Sequence, residues 1–213
     1  MHPLLSKEFV QLIYHLYNSK IWPSQLLLLF FGVMGFYFCF KMKRYRAHFI
    51  SITLVILWFW CSLFFFPIIS EKIGYIAYFF VPIYLAYGIF IFYYVSYKKY
   101  VLFKLELSLK GIIGIFFISY VLVLKIILGE TFLNLNYLTS SSFGTPSLLS
   151  IYSLSIFSNI YGKKNIAFLI PPYLWFILEL VFVGFYEPID MTIFILTVGY
   201  SLISYKTIKP LSE

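Results

Sequence analysis

The stretch HFISITLVILWFWCSLFFFPII, residues 48–69, decides how the rest of the chain is read. It runs for 22 residues without Asp, Glu, Lys or Arg. A helix needs roughly 20 apolar residues to cross a bilayer, and a surface helix of a soluble domain would show a polar face over such a length. The apolar residues are continuous instead of alternating, so the stretch predicts a transmembrane helix and not a barrel strand.

Working outward, the same pattern recurs on both sides. Seven spans are expected, at Trp22–Phe40, His48–Ile69, Ile73–Tyr97, Gly111–Leu128, Pro146–Tyr161, Asn165–Tyr186 and Ile189–Tyr205. The second and third are divided only by Ser70–Glu71–Lys72, which predicts a tight helical hairpin. The fifth is the shortest and most polar. Composition agrees with this reading: of 213 residues, 62% are apolar and 11% charged, against roughly 45–50% and 25% in soluble globular chains. A disordered chain, a conventional soluble enzyme and, with two Cys, a disulfide scaffold are thereby excluded. The expected architecture is all-α, one integral membrane domain over residues 1–213. It comprises an interfacial segment 1–21, a seven-helix bundle 22–205 and a cytoplasmic tail 206–213.

The net charge of +8 would suit nucleic acid, but its distribution does not. Lys41, Lys43, Arg44 and Arg46 follow the first span, and Lys98, Lys99, Lys104 and Lys110 the third. Lys163 and Lys164 follow the fifth, Lys206 and Lys209 the seventh. Basic residues therefore fill alternate connections. By the positive-inside rule the amino terminus is expected outside and the carboxyl terminus in the cytoplasm. The partners implied are membrane lipids, with anionic headgroups at the basic cytoplasmic rim; no nucleic acid is implied.

The opening residues lack a basic region, an apolar run and a small-residue cleavage site, so no cleavable signal peptide is expected. Ser6–Asn18 has helical periodicity instead. Phe9, Leu12, Ile13 and Leu16 share one face, and Lys7, Gln11, His15 and Asn18 the other. This predicts a short amphipathic helix, either in the membrane interface or packed over the ends of the spans.

Within the spans, Glu179 is the most informative residue. It falls about 10 Å from the outer end of the sixth span, and a charge there faces the bundle interior and a partner. Lys125, near the outer end of the fourth span, is the nearest candidate by depth. The two are read either as a proton or cation site or as a structural ion pair. The fifth span carries Ser147, Ser150, Ser155 and Ser158 within an arc of about 140°, with Ser153 and Asn159 beside them. Small hydroxylated residues serve close helix packing or line a polar pathway. An outer vestibule would be supplied by Glu130, Asn134, Asn136 and Asp190. Pro67, Pro82, Pro171 and Pro172 each leave the carbonyl four residues earlier without its helical donor. Those carbonyls belong to Leu63, Tyr78, Ala167 and Phe168.

Other chemistry is set aside. Cys39, Cys61, His2, His15 and His48 show no metal-ligand spacing, so no metal or other cofactor is expected. No phosphate loop is present, and no His follows the Gly144-Thr145-Pro146-Ser147 turn to activate a serine. The last span lacks the lysine of a retinal Schiff base. No catalytic motif is recognisable.

Tyr17-Asn18-Ser19-Lys20-Ile21-Trp22-Pro23-Ser24-Gln25, Trp58-Phe59-Trp60, Phe143-Gly144-Thr145-Pro146 and Pro172-Tyr173-Leu174-Trp175, with Asp190 ahead of the last span, form a recurring set of motifs. In these the chain resembles the domain of unknown function 6064 family of bacterial multi-spanning membrane proteins. The resemblance implies the architecture and the bacterial inner membrane, and it implies no activity. That family's pattern continues with Pro-Cys-Pro-Thr-Thr after the glycine turn, where Pro146-Ser147-Leu148-Leu149-Ser150 stands here, and has a Tyr-His pair where Phe65-Phe66 stands. No role of that Cys or His carries over. The functional expectation is a small transporter or channel-like protein with a polar site in the outer half of the bundle. The alternatives are a non-catalytic structural or accessory subunit and, third, a lipid-directed membrane enzyme.

Overall fold

The computed structural model describes residues 7–40, 45–98, 101–103, 108–125, 142–162, 166–182 and 188–206. Among them are seven helices: α1 (Lys7–Phe40), α2 (Arg46–Ile73), α3 (Ile76–Tyr97), α4 (Leu109–Leu124), α5 (Pro146–Phe157), α6 (Ile170–Phe182) and α7 (Pro188–Lys206). The stretches Glu8–Cys39, Arg46–Ile73 and Ile76–Tyr97 are long and apolar enough to cross a membrane, and the other four helices carry shorter apolar runs. A small antiparallel ribbon joins β1 (Val101–Phe103) to β2 (Ile160–Gly162), with Leu102 opposite Tyr161.

The amino-terminal segment is not a separate interfacial helix. It forms the first turns of α1, which continues unbroken through Pro23. Its buried face is also not the expected one. Val10, Tyr14, Tyr17, Asn18 and Ile21 are buried, whereas Leu12 is exposed. These positions follow the helical repeat just as Phe9, Leu12, Ile13 and Leu16 do, and Tyr17 and Asn18 win because they find hydrogen-bond partners inside. The α2–α3 hairpin likewise turns later than expected. The helix runs through Ser70–Lys72, and Gly74 ends it at φ +74°, where the lack of a Cβ removes the penalty. The Gly74 N–H closes the turn on Ser70 O at 2.9 Å, and Lys20 of α1 pairs with Glu71 at the tip.

α5 is the centre of the bundle. All of its residues are buried, and α2, α4, α6 and α7 pack around it. A serine-rich helix tolerates this because Ser155 and Ser158 donate to the carbonyls of Ile151 and Leu154, one turn back. Two tryptophans grip the remaining faces: Trp58 of α2 donates to Ser153 Oγ at 3.0 Å and Trp175 of α6 to Ser147 Oγ at 3.1 Å. Trp58 also stacks on Tyr84, with centroids 4.9 Å apart, and Phe66 stacks on the same tyrosine. That aromatic column seats α2 on α3.

The prolines are accommodated by local solutions. Ahead of Pro67, residues Cys61–Phe65 widen into a π-turn, in which Phe66 N–H donates to Cys61 O. The carbonyl of Phe168, deprived of a donor by Pro172, accepts from the Tyr87 hydroxyl at 2.5 Å. Tyr87→Phe is therefore expected to lower stability by about 1–3 kcal/mol, the penalty of a buried unsatisfied carbonyl. The loss should disappear in a Pro172→Ala background, where the restored N–H serves Phe168. Detergent unfolding of the four variants measures this, and an equal loss in both backgrounds would refute the assignment.

Candidate functional site

The charged residues buried among those described are Lys125, Glu179 and Asp190. Lys125 was expected to face Glu179; its ammonium pairs instead with Asp190 Oδ2, while the Tyr120 hydroxyl donates to Asp190 Oδ1. Asp190 is accordingly no open vestibule residue: it is 5% exposed. It stands in the first turn of α7, where the helix dipole favours a carboxylate.

The backbone makes this arrangement possible. Tyr120 and Lys125 are five residues apart, and on an α-helix five residues leave two side chains about 140° apart. Over Tyr120–Leu124 the helix widens into a π-turn, with Lys125 N–H bonded to Tyr120 O. An i→i+5 bond stacks one residue over the other, so both side chains reach the two oxygens of one carboxylate. Nothing in residue type or periodicity announces that turn, and Tyr120 was missed for this reason.

Glu179 is 1% exposed. Its depth follows from two contacts of α5, one with the short turn ahead of α6 and one with α6 itself. Phe168 meets Phe157 at 4.8 Å between centroids, and Trp175 meets Ser147. One turn beyond Trp175, Glu179 is level with the Phe143–Thr145 turn that opens α5, the positive end of that helix. Tyr84 lies within its electrostatic reach. The serines expected to line the site divide. Ser147 and Ser158 are hydrogen-bonded, whereas the fully buried Ser150 Oγ has no hydrogen-bond partner among the described residues. Glu130, Asn134 and Asn136 lie outside the described residues.

A second polar group lies at the entry to α5. Gln25 Nε2 donates to Asn18 Oδ1 at 2.9 Å and to Ser142 Oγ at 2.8 Å, and Ser142 donates to Asn18 at 2.7 Å. Beside them the Tyr17 hydroxyl donates to Gly144 O at 3.1 Å and accepts from Trp60 Nε1 at 2.9 Å. Asn18 and Gln25 are two turns apart on one face of α1, and that spacing was the signal available in the sequence. Asn18 had been assigned to a solvated face.

These contacts bring the separate motifs together. Tyr17, Trp60 and Gly144 touch directly, and Trp175 closes on Ser147 next to Pro146. Fold and site define an all-helical bundle with three helices long and apolar enough to cross a membrane, and with a polar, charged site buried inside it. The chain belongs to the family of unknown function DUF6064, whose profile matches residues 6–209. Comparison with the curated proteins and with the solved structures gives no match.

Proposed function

We propose that this is an integral membrane protein of the bacterial inner membrane, with seven spans, the amino terminus outside and the basic connections in the cytoplasm. Within it, a polar site in the outer half of the bundle carries protons or small cations. The membrane reading is supported by an inverted distribution of side chains. Trp22, Phe30, Phe79 and Ile203 are more than half exposed, while Asn18, Gln25, Lys125, Glu179 and Asp190 are buried. Water would favour the opposite arrangement; lipid favours this one. The orientation is supported at the ribbon end, where Arg46 donates to Phe103 O and Lys98 lies 5.4 Å from the Tyr97 ring centroid. Aromatic and basic residues of this kind suit an anionic headgroup layer.

The observation that carries the transport reading is that Glu179, 1% exposed, is a carboxyl enclosed within the helical bundle. A carboxylate in the bilayer core costs roughly 2.5–3.5 kcal/mol on insertion scales. A proton or a cation that comes and goes at Glu179 removes that cost for part of a cycle. The test is flux from vesicles reconstituted with the full chain under an imposed pH gradient. Glu179→Gln is expected to abolish the pH-dependent component. Flux from parent vesicles no greater than from protein-free vesicles would end the transport reading. The hydrogen-bonded grip of Trp58 and Trp175 on α5 supports the second reading, a structural or accessory subunit, and that is what absence of flux would leave.

A further inference from the structure

Ser147, Ser150 and Ser153 follow one another at three-residue intervals along α5, and none is more than 1% exposed. Three residues turn a helix by about 300° and rise about 4.5 Å, so the serines form one oblique row with Ser150 in its middle. The two ends of the row accept from indoles, Ser147 from Trp175 and Ser153 from Trp58. An indole N–H donates and accepts nothing, so these bonds leave both serine hydroxyl protons uncommitted. Between them, Ser150 Oγ has no hydrogen-bond partner among the described residues. Its hydroxyl is not folded back onto the carbonyl one turn earlier, as those of Ser155 and Ser158 are.

Spacing identifies the missing partner. Side chains three residues apart on a helix stand about 5–6 Å from each other at Cβ, twice the length of an O–H···O bond of about 2.8 Å. One water molecule matches each gap, accepting from one serine and donating to the next. A buried water holds its place with two to four polar partners, and a third is present at this depth. Pro171 lies between Phe168 and Trp175 in sequence, hence between the Phe157 and Ser147 levels of α5. The hydroxyl of Tyr84, which is stacked on Trp58, reaches Pro171 O at 3.5 Å, longer than a settled O–H···O bond. We propose that two buried waters bridge Ser147 to Ser150 and Ser150 to Ser153, and that this relay carries protons between the level of Glu179 and the middle of the bundle. It deepens the transport reading and rests on it for passage across the bilayer, whereas the presence of the waters does not.

Trp175 bonds to Ser147, and Glu179 stands one turn beyond Trp175, so the relay begins about 6 Å along the axis from Glu179. Each transfer balances. A proton reaching one water forms an O–H bond while another O–H bond of that water breaks toward the next oxygen. The charge moves on, every oxygen stays, and nothing is oxidised or reduced. The kind of ion follows from the same residues. A metal cation passes where oxygen ligands replace its hydration shell, and three hydroxyls among Trp58, Trp175 and Tyr84 do not supply one.

The waters are tested by X-ray radiolysis of the purified full chain in detergent and heavy-oxygen water, which oxidises side chains that lie beside bound water. Trp58 is 0% exposed, so heavy oxygen on its indole reports water inside the bundle. Trp58 is expected to be labelled in the parent, and Ser150→Ala to lose most of that label while the exposed Trp22 keeps its own. In vesicles under an imposed pH gradient, Ser150→Ala should also lose most of the parent's proton flux. An unlabelled Trp58 in the parent overturns the proposal, and so does undiminished label in Ser150→Ala. Proton flux in Ser150→Ala equal to the parent's overturns the route, and sodium or potassium flux through the parent overturns the assignment to protons. If the variant fails to fold, the label on Trp58 and the ion fluxes of the parent still decide. A labelled Trp58 without proton flux from parent vesicles would overturn the transport reading alone and leave the waters in place.

Discussion

Lys125→Met is expected to destabilise the protein by about 3–5 kcal/mol, because it leaves Asp190 buried without its counter-charge. The side chains of Lys125 and Asp190 are 8% and 6% exposed, so little water reaches the abandoned carboxylate. Tyr120 still donates to Oδ1, and one neutral hydrogen bond recovers only about 0.5–1.5 kcal/mol. The double variant Lys125→Met with Asp190→Leu should regain most of the loss, since replacing a buried ion pair by apolar residues of similar volume is often neutral or stabilising. Unfolding of the four proteins in one detergent gives the coupling. A single variant as stable as the parent would show that the pair is not buried as described.

Several features of this protein could be read directly because they depend on local composition. The runs His48–Ile69 and Ile73–Tyr97 are continuous and uncharged, and each became a helix of spanning length. Glu179 was marked as interior because a carboxylate in an apolar run has nowhere else to go, and it is buried. What could not be read was pairing across the chain. Lys125 has two carboxylates as candidate partners at similar depth, and the choice depends on a π-turn that no periodicity signals. The amino-terminal segment failed for a different reason. Hydropathy ranks faces by apolar content, which identifies the buried face when the solvent is water. On the proposed membrane reading apolar content ceases to discriminate the faces of a lipid-facing helix, and hydrogen bonding decides which face turns inward. Tyr17, Asn18 and Gln25 therefore face inward, while Trp22, Leu26 and Phe30 face outward. The two carbonyls that the Pro171–Pro172 pair strips of donors were foreseeable; that Tyr87, some eighty residues earlier, serves Phe168 was not.

Gly144→Ala is expected to cost about as much as loss of the ion pair, by an unrelated mechanism. Gly144 adopts φ +105°, a conformation that is essentially reserved for glycine and strains other residues by about 1–3 kcal/mol. The position is also enclosed. An added Cβ would lie 2.5 Å from Leu28 Cδ1 and 3.0 Å from the Tyr17 hydroxyl, and overpacking of a filled interior adds about 1–3 kcal/mol. Neither neighbour can yield freely, because Leu28 is 1% exposed and Tyr17 is held by Trp60 and by the Gly144 carbonyl itself. The two contributions separate experimentally. Leu28→Ala in the Gly144→Ala background removes the closest clash, so part of the steric loss should return relative to the sum of the single variants, while the backbone strain remains. Full recovery would mean that the turn is not strained; simple additivity would mean that Leu28 does not confine it. Because Gly144 precedes α5 by two residues, the strain is exerted where that buried helix begins, level with Glu179. On the proposed transport reading, a loss of stability in Gly144→Ala should therefore come with a changed response of flux to pH, and Tyr87→Phe, acting at the opposite end of α5 near Phe168, should lose stability without that change.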